Sequence, residues 1–196
     1  MKLRLPFLSA LLLIAPCHLL AQGAWMFQEN AYGLRTISIK GMASFAEGNA
    51  PAELDFQCAS GPSNRHQTPG NMLQFAVMQT ATAASFHFDD FEGPDGGSGS
   101  TKALRVRVMK NGKAAEWAMG VGGGYSDADS FRFEVFSDAN RKSVVWAILK
   151  AIQDHAESIE IEIQDLRNPT VRIKASFPCN GADVVVQKYS EGRGPK

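Results

Sequence analysis

The sequence predicts a mainly β fold, an antiparallel β-sandwich or curved sheet of about ten strands with one amphipathic helix over about 138–156. Three observations carry this. Segment after segment alternates apolar and polar residues at period two, rich in β-branched and aromatic types, as half-buried strands do. Turn residues separate these runs, foremost Asn111-Gly112 in "KNGK", the strongest short-range hairpin signal. A single segment departs from alternation and spaces its apolar residues by three and four.

The chain opens "MKLRLPFLSALLLIAPCHLLAQGAW", with Lys2 and Arg4 ahead of an apolar run from Leu5 to Leu20 and small residues at Ala21, Gly23 and Ala24. This reads as a secretory signal peptide over 1–24, cleaved near 21–24. The run is shorter than the roughly 20 residues a bilayer core needs, and Pro6 and Pro16 interrupt it, so no transmembrane segment is expected in the mature chain. Cys17 follows Pro16 where a lipidated cysteine wants a small residue, which favours ordinary cleavage. A single β-rich domain over 25–188 then remains, with "YSEGRGPK" (189–196) as a disordered tail. The expected location is the periplasm or the cell exterior.

Loss of Lys2 and Arg4 takes twenty basic residues to eighteen against twenty acidic ones, a net charge of about −2. No basic face for nucleic acid is implied. Cys58 and Cys179 stay in the mature chain, and two cysteines in an exported protein are expected to form a disulfide. Closing so long a loop stabilises by roughly 4 to 5 kcal/mol in the chain-entropy picture.

Strands are expected at 34–40, 52–58, 72–79, "SFHFDD" (85–90), 103–109, "AEWAMGV" (115–121), 130–136, 158–164, 170–177 and "DVVVQK" (183–188). Hairpins join 103–109 to 115–121 through Asn111-Gly112, and 158–164 to 170–177 through "DLRNPT" (165–170). In the second hairpin Glu160 and Glu162 share a face that Arg172 and Lys174 can oppose, at about 0.2 to 1 kcal/mol per pair. The helix places Val144, Val145, Ile148, Leu149 and Ile152 on one stripe, with Ser137 or Asp138 as its cap and Trp146 at the edge of the stripe.

Two acidic, glycine-rich stretches hold the candidate site residues. "FHFDDFEGPDGGSGST" (86–101) offers Asp89, Asp90, Glu92 and Asp95, and "MGVGGGYSDADSF" (119–131) offers Tyr125, Asp127 and Asp129. If both lie at one end of the sheet they form an acidic rim suited to a basic protein or envelope component. No cofactor is expected: the stretch reads first as a solvated loop, with calcium on its hard oxygen donors as the alternative, since the spacing does not match the calcium-loop pattern. A carboxylate pair drawn from Asp89 or Asp90 would suit a carbohydrate-active hydrolase. No GxSxG elbow or phosphate loop is present, and His66, His87 and His155 stand far apart in sequence.

From Trp146 onward an amphipathic helix leads into "SIEIEI", a turn, then "TVRIKASFPCNGADVVV" with a Gly181-Ala182 pair. This quarter of the chain resembles the closing segment of small exported bacterial β-proteins of the invasion-associated locus B type and of type VI secretion accessory proteins. The resemblance implies a bacterial envelope β-sandwich without known catalysis. The expectation is therefore a non-enzymatic binding module with the acidic loops as its contact surface; the alternatives are a hydrolase and a calcium-dependent structural module.

Overall fold

The computed structural model describes residues 23–31, 33–59, 70–93, 101–138 and 143–191. The expected signal segment up to residue 22, Asp95, and the chain from 192 onward lie outside them.

Alternation yields ten strands among the described residues: β1 (Met26–Glu29), β2 (Leu34–Ser44), β3 (Asn49–Ala59), β4 (Gly70–Met78), β5 (Leu104–Lys110), β6 (Lys113–Met119), β7 (Gly122–Asp127), β8 (Ser130–Asp138), β9 (Ser158–Gln164) and β10 (Arg172–Pro178). Two helices accompany them, α1 (Val144–Gln153) and α2 (Ala182–Ser190). The strands form one antiparallel sheet in the order β6-β5-β9-β10-β2-β3-β4-β8-β7, with β1 also on β2. Strands β6 and β7 end the sheet, yet only Gly120 and Val121 separate them in sequence, a reach of at most about 11 Å. The sheet is therefore curled until its two ends approach one another at that corner. It is a curved sheet of half-barrel form, not two stacked sheets.

One face of the curl is apolar. Ile37, Ile39, Leu54, Phe56, Phe75, Phe133, Ile159, Ile161 and Phe177 alternate onto it and are buried. Helix α1 covers it with Val145, Ile148, Leu149 and Ile152 against β4, β5 and β8. Its cap is Ser143, whose Oγ accepts from the Trp146 N–H at 3.4 Å, whereas Ser137 and Asp138 extend β8. Both expected hairpins form. Asn111 and Gly112 take positive φ values of 51° and 69°, as the tight turn between β5 and β6 requires.

The expected strand at 183–188 is helix α2. Gly181 turns the chain at φ 74°, and Ala182, Val186 and Tyr189 then fall at helical spacing on the buried side. Burial of that stripe outweighs the strand preference of three consecutive valines. Arg35 donates to the carbonyls of Tyr189 and Glu191 at the end of α2, and the buried Tyr189 hydroxyl donates to Asn71 Oδ1 at 3.1 Å. The expected tail thus begins no earlier than the end of α2.

No disulfide joins Cys58 to Cys179; both are buried thiols. Cys179 precedes the N-terminus of α2, while Cys58 pairs across the sheet with Asn71, the partner of Tyr189 at the other end. The helix between them is about 13 Å long, and a disulfide tolerates Cα atoms at most about 7 Å apart. Burial pushes the Cys179 thiol up to about 12.

Candidate functional site

The stretch expected as a strand at 85–90 is a 3₁₀ turn over Phe88–Phe91. Its three phenylalanines explain why. Strand alternation would bury Phe86 and Phe88 but turn Phe91 to solvent; in the turn all three are buried. Phe86 stacks on Phe91 at 5.5 Å, Phe88 packs on Phe131 at 5.3 Å, and Phe91 meets the edge of Phe133 at 5.3 Å. Aromatic burial of this kind fixes the turn onto β8. The intervening residues His87, Asp89 and Asp90 are left towards the surface.

The turn is held from two further sides. Asp165, fully buried after β9, accepts from the backbone N–H groups of His87 at 2.7 Å, Arg167 at 2.9 Å and Asn168 at 2.7 Å. Its Oδ2 also lies 3.0 Å from His87 Nδ1. Burial raises the Asp165 pKa, but these hydrogen bonds outweigh it and hold the carboxyl below its ordinary value. An ionised carboxylate only accepts, so His87 Nδ1 carries the proton in this contact. Next to it, Arg167 grips Asp90 with both arms, Nε to Oδ2 at 2.7 Å and Nη2 to Oδ1 at 2.6 Å. That pairing holds Asp90 below its ordinary carboxyl pKa.

On the other side, Glu92 and Gly93 bridge to Gly123 of β7, with Gly93 N to Gly123 O at 3.0 Å and the reciprocal bond at 3.2 Å. A Cβ on Gly123 would lie 2.4 Å from the Arg132 carbonyl and 2.6 Å from the Phe131 ring, so only glycine lets β7 lie this close to β8 at the residue that carries the bridge. Two residues on, the Tyr125 hydroxyl donates to Asp89 Oδ1 at 2.8 Å and its ring packs edge-on against Phe131 at 5.0 Å. Partial burial and then the Asp89 carboxylate push the Tyr125 phenol up to about 12.

The two acidic stretches therefore meet. Asp89, Asp90, Glu92 and Tyr125 share one rim, and Tyr125 remains 45% exposed there. Asp127 ends β7 and Asp129 follows in the turn to β8, where Asp127 Oδ1 accepts from the Asp129 N–H at 2.9 Å and the Asp129 carbonyl accepts from the Thr80 N–H at 2.9 Å. Asp127 is held below its ordinary pKa, chiefly by Ser130. The second stretch, which sequence presents as a glycine loop, is mostly strand β7. Asp95 lies outside the described residues.

Sequence reading missed Asp165 and Arg167, which organise the rim from the β9–β10 hairpin. The "DLRN" run marks a turn, and nothing in it announces partners 77 and 78 residues away. Among the described residues no group of three or more His, Cys, Asp or Glu side chains is arranged to hold a metal ion. Among the described residues no hydroxyl or thiol hydrogen-bonds to His87. No described helix is long and apolar enough to cross a membrane. No protein-family model matches the chain, and searches of curated proteins and of solved structures return no match.

Proposed function

We propose that the chain is an exported bacterial envelope protein, periplasmic or secreted, that acts as a non-enzymatic binding module for a basic protein or envelope component. The observation that carries this reading is the Tyr125–Asp89 contact, which brings two acidic stretches 36 residues apart onto one exposed rim. Asp89, Asp90 and Glu92 lie there with Tyr125; Asp127 and Asp129 follow where β7 runs into β8, and Arg167 pairs with Asp90. Asp165 and Arg167 hold the turn in place before any partner arrives, which reduces the ordering cost of binding. Exposed Tyr125 supplies the large, rigid contact area favoured at interfaces. Export is supported by the signal-peptide pattern of the first 24 residues, and a bacterial envelope by the resemblance of the closing quarter. Both oxygens of Asp90 are taken by Arg167, which counts against its serving in a hydrolytic carboxylate pair.

The test is affinity capture from an envelope extract with the mature chain as bait, beside a variant carrying Asp89→Ser, Glu92→Ser, Asp127→Ser and Asp129→Ser. The wild type is expected to retain a basic partner that high salt weakens and the variant fails to capture. A partner held equally by both baits moves the site away from the rim.

A further inference from the structure

On the polar face of the sheet a recess of about 580 Å³ opens between β2, β10, β9 and β5. Its cause is topological. β10 pairs with β2 only over Lys174 and Ala175, so beyond these residues the strands part. Gly41 permits the separation to be filled from the apolar face, where the Phe177 ring lies 2.9 Å from the place a Cβ would occupy. The polar face is left open, within the size range of small-ligand sites.

The walls carry an unbalanced set of charges. Glu162 faces three cations, Arg172 at 3.0 Å, Arg105 at 3.6 Å and Lys174 at 3.8 Å. Glu116 is shared by Arg107 at 2.9 Å and Arg105 at 3.2 Å, and Glu160 serves Arg107 at 3.3 Å. Lys40, exposed at the rim of the recess, has no ion pair at all among the described residues. Among the residues that line the recess, four cations (Lys40, Arg105, Arg107 and Lys174) thus stand against two carboxylates (Glu160 and Glu162), with Arg172 and Glu116 just outside it. Arg105 is not saturated either, since its buried Nε finds no hydrogen-bond partner and its approach to Glu116 is ionic alone. Exposed Ser176 adds a hydroxyl, while Met42 and Pro178 make an apolar part of the floor beside the backbone at Gly41 and Ala175.

We propose that this recess binds an organic anion with an apolar body, of the alkyl-carboxylate class. The carboxylate meets Lys40, Lys174 and Arg105, where a negative charge offsets the cation surplus, and the alkyl part lies along Met42 and Pro178. The inference stands apart from the loop-end reading, which uses none of these residues.

Isothermal titration of the mature chain with decanoate tests it, with acetate and decanol as comparisons. Decanoate is expected to bind one per chain, about tenfold or more tighter than either comparison, and Lys40→Gln with Lys174→Gln is expected to weaken it by about tenfold. Both lysines are exposed, so the double variant keeps the wild-type melting temperature. Amide shifts on titration fall on Ser44, Ser176 and their neighbours. Decanoate binding that ignores the lysine changes, shifts confined to another face, or affinity no greater than for acetate or decanol would each overturn the assignment.

Discussion

Asp55 and Asp165 are both buried aspartates, and their surroundings push them in opposite directions. Asp165 has three backbone N–H donors and His87, so its charge is welcome. Asp55, on the polar face of β3, has one amide, Gln57 Nε2 at 3.1 Å, and burial pushes its pKa up to about 6. A carboxyl whose folded pKa is raised above the unfolded value of 3.8 holds its proton more tightly when folded. Its contribution to stability is full below 3.8 and is lost as pH rises through about 6, reaching a cost of about 3 kcal/mol at neutral pH. Asp55→Asn is therefore expected to be nearly neutral near pH 4 and stabilising by about 2 to 3 kcal/mol near pH 7.5. Urea unfolding of both proteins at the two pH values checks this; a difference independent of pH would contradict it. Neither role is legible in sequence. "LDFQC" and "IQDLRN" each show one acid beside apolar residues, and only the cross-strand neighbours decide which acid is satisfied.

At the scale of elements, alternation found eight of the ten strands, and the hairpin at Asn111-Gly112 formed as its residues require. Failure came where two periodicities compete. Phe86, Phe88 and Phe91 begin as a strand and end as a 3₁₀ turn, because the third ring is buried only if the chain turns. "DVVVQK" reads as β-branched strand, while the signal that decides it is the spacing of Ala182, Val186 and Tyr189. β7 hides because "GGGYSD" has no apolar alternation to display, and β1 because four residues are too few. The first of these glycine positions to test is Gly123. Gly123→Ala forces a methyl against the Arg132 carbonyl, which cannot yield as a side chain end would, and is expected to cost about 1 to 3 kcal/mol while loosening the Gly93 bridge. Gly124→Ala meets nothing within 4 Å and serves as the control. Equal unfolding midpoints for the two variants would remove the close-approach argument.

For the molecule as a whole, the curl places β6 and β7 at opposite ends of the sheet order and yet two residues apart, with α1 and α2 covering the apolar face between. A sandwich and a curled sheet share the same strand pattern, so composition alone left both open. The curl has a local consequence. It leaves β7 as a terminal strand, bonded to β8 on one side and open to the 3₁₀ turn at Gly123 on the other, so the rim forms at the sheet's own end. The candidate acids were legible as two stretches; their union, and the Asp165–Arg167 support beneath them, depends on strand order. The most direct measurement of the central claim replaces Tyr125 by the photo-crosslinking residue p-benzoylphenylalanine in the mature chain, with the same replacement at exposed Val184 of α2 as the comparison. Irradiated in an envelope extract, the Tyr125 probe is expected to join a basic partner that the Val184 probe leaves unlabelled. Equal labelling from both positions, or labelling from Val184 alone, would contradict a binding rim built from Asp89, Glu92 and Tyr125.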